Sequence, residues 1–452
     1  MINVEMTQNE KKMSIKQETI PVGYKKTDVG IIPEDWMVMN IAKTMRLVNG
    51  YGFKPSQWKK EGLPIIRIQN LNDPHASCNY FPGNVDAKFH IKKGDLLFAW
   101  SGSKGVSFGA RVWQGQKAIL NQHIFKVIPD ENFVTAEFSY LVLCKVQEQV
   151  EKMAHGFKSS FVHVKKGDLE NTPLPIPPKE EQQSIANVLT NTDELITALE
   201  QLISKKKAIK TATMQQLLTG RTRLPQFAKR LNGALKGCKS SEIGMIPEDW
   251  ETVAMGDMGT TYGGLSGKSK NDFGSGNSLY IPFTNIMANV IINVNLLDRV
   301  KVHEIQNSVL PGDLLFNGSS ETPEEVCFCS LLSDEIDKLY LNSFCFGFRA
   351  NSQPKYLPLY LAYWFRSNAG RTAVSMMAQG STRYNISKSQ FLTLKIVIPS
   401  IQEQTAIATI LSDMDIELEA LEKKLAKLRD IKQGMMEQLL TGRIRLSLDQ
   451  QP

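Results

Sequence analysis

The chain has 452 residues, a net charge of +7, and 42% hydrophobic against 22% charged residues. This length is enough for two or three domains, and the composition is that of an ordinary globular protein. No apolar run is long enough to cross a membrane, and the polar first 17 residues lack the apolar core of a signal peptide. We therefore expect a cytoplasmic protein whose six cysteines are free thiols, because they form no CxxC pair.

Basic residues are concentrated in the first half of the chain. Residues 27–178 contain 18 basic and 14 acidic side chains, and residues 179–240 contain 11 and 5. Residues 241–400 reverse the balance, with 12 basic and 15 acidic side chains. A moderate basic excess of this kind is compatible with binding an anionic polymer such as nucleic acid.

The first predicted elements lie in a region of mixed α/β character, about residues 28–178. Short apolar strands, LPIIRI (63–68) and DLLFAW (95–100), alternate with loops rich in Gly, Ser and Asn. A helix is predicted at 137–154. A second region, about 242–400, has the same character, with a strand at LYIPF (279–283) and a helix at 356–377. Each region is long enough to bury its own core.

The two regions belong to an internal repeat. IPEDW occurs at 32–36 and again at 246–250, inside the longer matches TDVGIIPEDW and SEIGMIPEDW. GDLLF follows in both copies, and LNQHIFKV (120–127) matches LNSFCFGF (341–348). A period of about 200 residues is too long for a solenoid and indicates a duplicated domain.

Each copy ends in a long predicted helix. LPIPPKEEQQSIANVL (174–189) aligns with IVIPSIQEQTAIATIL (396–411), and the offset stays constant to LLTGRTRL (217–224) and LLTGRIRL (439–446). Apolar residues in these stretches follow a heptad seam, and each helix of about 40 residues would span roughly 60 Å. The predicted seam residues are Leu189, Ile196, Leu199, Ile203, Leu217, Leu411, Met414, Leu418, Leu421, Leu425, Leu428 and Leu439.

The two helices are the obvious partners of each other, although each could instead lie on the surface of its own domain. A near-strict heptad favours a narrow helix–helix seam over a broad core-facing surface. Thr192, Lys206 and Thr213 interrupt the seam of the first helix. They could set its register or face a third chain.

The loops of both regions carry polar, aromatic and basic side chains at matching places. Arg, Gln and Asn can read base edges, while Ser, Thr and Lys suit phosphates. Any one of these residues could equally be a solvated loop residue or a turn cap, but their recurrence favours DNA binding. The candidates are Lys54, Gln57, Trp58, Arg67, Gln69, Asn70, Ser101, Ser103, Lys104, Asn121, Gln122, His123, Lys158, Ser159 and Ser160 in the first region, and Lys268, Lys270, Thr284, Asn285, Asn317, Ser319, Ser320, Ser381, Thr382, Arg383, Tyr384 and Asn385 in the second.

No catalytic or metal-binding motif is predicted. GLSGKS (264–269) resembles a phosphate loop, but the Walker pattern needs glycine where Tyr262 stands. Neither a Gly-x-Ser-x-Gly elbow nor a His-Glu-x-x-His motif occurs. Asp95 and Asp313 occupy matching Gly-Asp-Leu-Leu turns, for which a turn role is a sufficient explanation.

Together these motifs resemble the specificity (S) subunits of Type I restriction-modification systems. The resemblance runs from about Gly23 to Leu446, and its carriers are GYKKTDVGIIPEDW, GDLLF in both copies, the GSTRYNI stretch (380–386), and the two blocks that run from KEEQ or IQEQ to LLTGR. In the first copy GFKSSFVHV departs from the GSTRYNI pattern.

The resemblance implies two α/β (α+β) recognition domains in duplicate, joined by two long helices that form an antiparallel coiled coil with pseudo-twofold symmetry. The corresponding segments are an N-terminal arm (1–26), target recognition domain 1 (27–178), a central conserved helix (179–220), a linker (221–240), target recognition domain 2 (241–400), a distal conserved helix (401–442) and a C-terminal tail (443–452).

The resemblance also implies that each domain reads one half of a bipartite double-stranded DNA target, and that the helices set the gap and dock two modification (methyltransferase) subunits. Restriction subunits complete such a complex. This chain would hold no cofactor and catalyse nothing; S-adenosylmethionine, ATP and Mg²⁺ would belong to the partners. Alternatives are a specificity subunit of a related system with a fused cleavage and methylation partner, a duplicated enzyme with an unrecognised site, and a coiled-coil scaffold.

Overall fold

A computed structural model describes residues 20–73, 76–153, 161–351 and 355–446. The chain divides into two compact units. Unit 1 comprises residues 1–198 and 425–452, and unit 2 comprises residues 199–424. Each of the two long helices therefore contributes one part to each unit. Among the described residues, no helix has the length and apolarity needed to span a bilayer.

Unit 1 contains most of the first sequence repeat. Its helices are α1 (Ile41–Thr44), α2 (Ala136–Met153), α3 (Lys166–Glu170) and the first part of α4 (Lys179–Leu217). Its strands are β1 (Tyr24–Thr27), β2 (Gly30–Pro33), β3 (Met37–Asn40), β4 (Met45–Asn49), β5 (Leu63–Ile66), β6 (Asn79–Phe81), β7 (His90–Ile91), β8 (Leu96–Ala99), β9 (Ser101–Ser103), β10 (Gly109–Val112), β11 (Ala118–Leu120), β12 (Ile124–Pro129), β13 (Phe161–His163) and β14 (Pro173–Ile176).

Unit 2 contains most of the second repeat. Its helices are α5 (Pro225–Ala228), α6 (Met255–Met258), α7 (Phe283–Ala288), α8 (Pro358–Arg366), α9 (Asn368–Ser375), α10 (Lys388–Thr393) and the first part of α11 (Ile401–Leu439). Its strands are β15 (Cys238–Ser241), β16 (Gly244–Pro247), β17 (Glu251–Ala254), β18 (Gly259–Gly263), β19 (Phe273–Ile281), β20 (Asp298–Val300), β21 (Leu314–Asn317), β22 (Ser319–Ser320), β23 (Cys329–Leu331), β24 (Leu339–Leu341), β25 (Cys345–Ala350), β26 (Tyr384–Asn385) and β27 (Lys395–Ile398).

The two units share one topology. An antiparallel sheet in the order β10-β8-β12-β4 in unit 1 corresponds to β23-β21-β25-β18 in unit 2. A mixed sheet, β6-β5-β11-β7, corresponds to β20-β19-β24. Two-stranded ribbons also recur, and the ribbon β9–β13 in unit 1 corresponds to β22–β26 in unit 2. The predicted duplication of a mixed α/β domain is therefore confirmed.

In each unit, the main core combines the antiparallel sheet with both long helices. In unit 1, Phe98 and Phe138 pack in one cluster with Leu189 of α4 and Leu439 of α11. In unit 2, Phe316 and the aromatic side chains of α8 cluster with Leu217 and Leu411. Each core therefore contains residues from the start of one long helix and from the end of the other, which are far apart in sequence.

Two sequence predictions differ in outcome. The helix predicted at 137–154 is confirmed as α2. The single helix predicted at 356–377 is wrong, because α8 and α9 are separated at Ser367. Ser367 is extended (φ −74°, ψ 161°), and its side chain caps α9 by accepting a hydrogen bond from the Gly370 amide. A serine inside an apolar helical pattern was therefore an N-cap rather than an interior residue.

The long helices pack together and run antiparallel within each unit. In unit 1, Lys432 of α11 pairs with Asp193 of α4 at 2.5 Å. In unit 2, Lys206 pairs with Glu417 at 2.5 Å, whereas Lys210, further along α4, pairs with the earlier Asp415. Lys206 interrupts the apolar seam because it makes an ion pair across the helices. The predicted seam residues are all buried or half-buried.

Candidate nucleic-acid interface

The repeated motifs meet in a cluster that holds each unit together. In unit 1, the Glu181 carboxylate accepts a hydrogen bond from Trp36 Nε1 at 3.0 Å. The Arg445 guanidinium donates to Glu181 at 3.1 and 2.7 Å and to Asp35 at 2.9 and 2.8 Å. We call these four residues the Arg–Glu–Trp cluster of unit 1. It joins IPEDW, KEEQ and TGRIR, three stretches that are distant in sequence.

Unit 2 has the same cluster, formed by Trp250, Asp249, Glu403 and Arg223. Arg223 donates to Glu403 at 2.6 Å through both Nε and Nη2, and Trp250 Nε1 donates to Glu403 at 3.2 Å. Burial acts to raise the pKa of Asp249, but hydrogen bonds from Arg223 and Lys236 more than offset it and hold that pKa well below its usual range. The IPEDW motif therefore occurs twice because each copy supplies the Trp and Asp of one cluster.

The glutamine after each cluster glutamate has its own repeated role. Gln182 is fully buried, accepts from the Thr135 amide at 2.9 Å, and donates to the carbonyls of Phe133 and Pro177 at 2.8 and 2.9 Å. Gln404 makes the equivalent bonds to Leu357, Lys355 and Pro399. The residues shared by the two copies thus support the fold, and the surface in which the copies differ lies elsewhere.

That surface is built around one tight turn in each unit. In unit 1, the Ile124 amide donates to the Asn121 carbonyl at 3.2 Å, and the Asn121 amide donates to Ile66 at 3.0 Å. In unit 2, Cys345 donates to Asn342 at 3.0 Å, and Asn342 donates to Ile281 at 3.2 Å. The same backbone frame therefore presents different exposed pairs, Gln122 and His123 in unit 1 and Ser343 and Phe344 in unit 2.

A two-stranded ribbon lies beside each turn. In unit 1, the Val164 amide donates to the Trp100 carbonyl at 2.9 Å, and Trp100 Nε1 donates to the Gln122 carbonyl at 3.2 Å. In unit 2, Ile386 bonds to Gly318, and the Gly318 amide donates to the Phe344 carbonyl at 2.9 Å. The ribbons bring β13 and β26 to the two turns, although each strand begins more than 35 residues after its turn in sequence.

Further predicted loops converge on the same places. Tyr51 forms a parallel bridge with Asn121, which brings the 50–58 loop to the turn of unit 1. In unit 2, the Leu265 amide donates to the Leu341 carbonyl at 2.8 Å, and this bond places the 263–271 loop beside the turn. The structure thus gathers candidates from four described stretches of each repeat. We call these two regions the turn surfaces of unit 1 and unit 2.

The candidate residues differ in how far their side chains are exposed on the turn surfaces. The candidates with exposed side chains are Lys54, Gln69, Gln122 and His123 in unit 1, and Lys270, Thr284, Ser381, Thr382, Arg383 and Asn385 in unit 2. Half-buried candidates are Gln57, Trp58, Arg67, Ser103, Lys104, Lys268 and Tyr384. Lys158, Ser159 and Ser160 lie outside the described residues.

Some candidates use their side chains to support the loops. Asn70, Asn285 and Asn317 are almost fully buried, and their amides hydrogen-bond backbone groups of their own loops. Asn121, Ser101, Ser319 and Ser320 are also buried, and Ser320 donates to Glu325 at 2.8 Å. Lys268 pairs with Glu304 at 2.6 Å and keeps only 5% of its side chain exposed. For these residues, the structure favours a role in shaping the surface over direct contact with a ligand.

Asp95 and Asp313 have the predicted turn role and an additional ion pair. Asp95 accepts from the Lys92 amide at 2.9 Å and pairs with Lys126 at 2.8 Å. Asp313 accepts from the Leu310 amide at 2.8 Å and is bound by Arg349 at 2.8 and 2.6 Å. These carboxylates fix the start of β8 and β21, the strands that lead to the two turn surfaces.

The predicted candidates do not include two aromatic side chains, Trp100 and Phe344, that the structure places on the turn surfaces. The Trp100 indole lies between His123 and His163, with ring centroids 5.2 and 5.0 Å apart. Phe344 is 59% exposed, and the Arg383 guanidinium lies 5.7 Å from its ring centroid. The alignment of LNQH with LNSF could have identified Phe344, because it stands where His123 does.

The comparisons with known proteins agree with this architecture. A family model described as the Type I restriction modification DNA specificity domain matches residues 33–210 and 247–429. The MjaVIII specificity subunit of a Type I restriction enzyme from Methanocaldococcus jannaschii is 26% identical, over 92% of this chain and 94% of its own length. The EcoBI specificity subunit from Escherichia coli is 22% identical, over 91% and 87%.

Solved structures give the same fold. The S subunit of a Type I restriction-modification system from M. genitalium superposes with a TM-score of 0.51 and 15% identity, over 89% of this chain and 96% of its own. Its likeness extends across both units, and the family model matches both repeats. The chain therefore belongs to the family of Type I restriction-modification DNA specificity proteins.

Proposed function

We propose that this chain is the DNA sequence-specificity subunit of a Type I restriction-modification complex, in which each recognition domain reads one half of a split DNA target. The observation that carries this proposal is the pair of turn surfaces. Their backbone hydrogen bonds are the same, but their exposed side chains differ. Two unlike half-sites require the same backbone arrangement in both units with different exposed side chains on it.

The side chains on each turn surface are suited to DNA. In unit 1, Gln69 and Gln122 offer amides that can pair with adenine, and Lys54 can contact a phosphate. In unit 2, Arg383 and Asn385 can pair with guanine and adenine edges, while Ser381 and Thr382 suit phosphates. Unit 2 is the more acidic repeat, so we expect its affinity to depend more on base contacts and less on salt than that of unit 1.

The long helices serve in this proposal as the spacer between the half-sites and as the docking site for two modification subunits. S-adenosylmethionine would be held by the modification subunits, and ATP with Mg²⁺ by the restriction subunits. This chain supplies recognition and leaves methyl transfer and cleavage to its partners. An adenine must leave the base stack to be methylated, so binding should distort the duplex.

The test is a methylation map of DNA from cells that express this chain with its cognate modification subunit. The map is repeated after residues 27–178 are replaced by the corresponding domain of another family member. We expect a split adenine-methylated motif of which the exchange alters one half and leaves the other unchanged. Methylation that does not depend on this chain, despite a demonstrated complex, would contradict the proposal.

A further inference from the structure

Each turn surface carries a large ring held beside the turn by a hydrogen bond; the ring of unit 1 is half-buried and that of unit 2 is exposed. In unit 1 this ring is Trp100, whose Nε1 is fixed by the Gln122 carbonyl at 3.2 Å. In unit 2 it is Phe344, whose amide donates to Asn342 Oδ1 at 2.9 Å. The two rings come from different positions of the repeat, since glycine, Gly318, replaces Trp100 in unit 2 and His123 replaces Phe344 in unit 1.

The exchange of positions is the informative point. Without Trp100, the ring nearest the exposed pair of the unit 1 turn would be the imidazole of His123 itself. Without Phe344, the exposed pair of the unit 2 turn would be reduced to Ser343, which has no ring. Each surface therefore carries a large ring at a different position of the repeat, although the backbone hydrogen bonds at both turns are the same. A requirement for a ring at this place explains the pattern better than two unrelated exposed residues do.

Trp100 packs on the buried Phe125, with ring centroids 6.0 Å apart, but the exposed neighbours of both rings are polar or cationic. Trp100 is flanked by the exposed imidazoles of His123 and His163, and Phe344 by the exposed guanidinium of Arg383. An apolar protein partner would prefer an apolar surrounding, whereas a planar, hydrogen-bonding ligand suits an aromatic face framed by donors. Nucleobases are such ligands, and proteins bind unstacked bases by stacking them on aromatic side chains.

We propose that Trp100 in unit 1 and Phe344 in unit 2 are specificity residues that each stack on a nucleobase unstacked within the half-site of that unit. This inference rests on the proposed function and adds to it the mode of contact. Stacking selects a base that leaves the helix easily, while Gln122 in unit 1 and Arg383 with Asn385 in unit 2 remain free to pair with its neighbours.

The experiment uses the full chain with its modification subunit and a duplex that carries the mapped split motif. Binding is measured for Phe344→Ala, Phe344→Leu and Phe344→Trp. Stacking predicts a loss of affinity of about 5- to 150-fold for both Ala and Leu, and near-normal affinity for Trp. Leu retains the apolar volume but has no aromatic face, so wild-type affinity in Phe344→Leu would overturn the inference.

The control is Leu310→Ala. Leu310 is an exposed apolar residue of the same unit at the far end of β21 from the turn. We expect its affinity to be unchanged. In unit 1 the matched pair is Trp100→Phe, which keeps a ring, and Trp100→Leu, which does not. Thermal unfolding of each variant confirms that the fold is retained.

Permanganate oxidation of unstacked thymines in the bound duplex gives an independent readout. We expect reactive thymines in both half-sites with the wild-type chain. Phe344→Leu should abolish this reactivity in one half only, and Trp100→Leu should abolish it in the other. Sequence-specific binding of the split motif, with equal reactivity in wild type and both variants, would overturn the stacking inference and leave the proposed function intact.

Discussion

At the scale of single residues, one buried glutamate in each unit joins a recognition domain to the long helices. Glu181 and Glu403 are almost fully buried, and each accepts hydrogen bonds from a tryptophan and an arginine. A buried carboxylate is tolerated only when it is paired and hydrogen-bonded. Each glutamate lies near the start of one long helix, and the arginine that pairs with it follows the end of the other. A single arginine side chain therefore links the end of one long helix to the start of the other.

The first prediction concerns Arg445. Replacing it with alanine leaves the Glu181 carboxylate buried, with Trp36 as its one remaining side-chain donor in the described part of the chain. The expected loss of unfolding free energy in unit 1 lies toward the lower end of the ~3–5 kcal/mol typical of a broken buried pair, because Arg445 is partly solvated. Urea unfolding measures the change. Arg443→Ala, two residues earlier and 60% exposed, is the control and should cost less than about 0.5 kcal/mol.

The second prediction concerns pH. The folded-state pKa of Asp249 lies below its ordinary value of about 3.9, so Asp249 stabilises unit 2 above that value and loses this contribution as pH falls through the folded-state pKa. Wild type should therefore exceed Asp249→Asn in stability at pH 7 and pH 5, and the difference should shrink between pH 4 and pH 3. Urea midpoints at these values test it. A difference that stays constant with pH would show that charge is not the cause.

At the scale of elements, the ends of α4 and α11 have specific sequence requirements, as their apolar seam does. Gly220 and Gly442 follow these helices with φ of +69° in both cases. A Cβ at Gly220 would lie 2.5 Å from Pro247 Cγ, and one at Gly442 would lie 2.4 Å from Pro33 Cδ. The two glycines thus end the helices in a left-handed conformation and let them approach IPEDW closely.

The third prediction compares Gly442, just after α11, with Gly434 inside the helix. Gly442→Ala should destabilise unit 1 by more than about 1 kcal/mol, since it adds strain at positive φ and a clash with Pro33. Gly434→Ala lies in the interior of the same helix, where a Cβ would meet nothing within 4 Å. It should stabilise the protein by about 0.5–1 kcal/mol through helix propensity. Urea midpoints that move in the same direction for both variants would contradict this account.

How much of these elements the sequence predicts depends on how local their cause is. The heptad seam, the helix-ending glycines and α2 follow from periodicity, and they are observed. The break at Ser367 needed the knowledge that its side chain caps α9. The burial of Asn70, Asn285 and Asn317 could not be predicted either, because an asparagine that supports a loop and one that reads a base have the same sequence environment. Trp100 and Phe344 were missed because their pairing with the turn is a tertiary contact.

At the scale of the whole molecule, the repeat gives two units that are each completed by both long helices. α4 begins in unit 1 and ends in unit 2, and α11 does the reverse. The proposed spacer and the cores of the recognition domains are therefore the same elements. A change in helix length acts on the distance between half-sites only if both helices change together, because their ion pairs and seam must stay in register.

The fourth prediction follows from this coupling. Inserting four residues into both helices, at 198/199 and at 424/425, lengthens the spacer by about 6 Å and should widen the gap of the DNA motif by one or two base pairs. A methylation map measures the gap. Insertion in α4 alone should lower stability without creating a new gap, since Lys206 and Lys210 lose their partners. An unchanged gap in the double variant would refute the spacer role.

The position of Arg445 has a consequence for the order in which the protein matures on the ribosome. The core of unit 1 includes Met436, Leu439 and Leu440, and Arg445 is the cation that pairs with its buried glutamate among the described residues. Unit 2 is complete once residue 424 has emerged. At typical translation rates, the 247 residues from 198 to 445 take roughly 10–50 seconds to synthesise. The unit that the ribosome begins first is thus the last to gain its full core, because that core stays incomplete until the final turns of α11 have been synthesised.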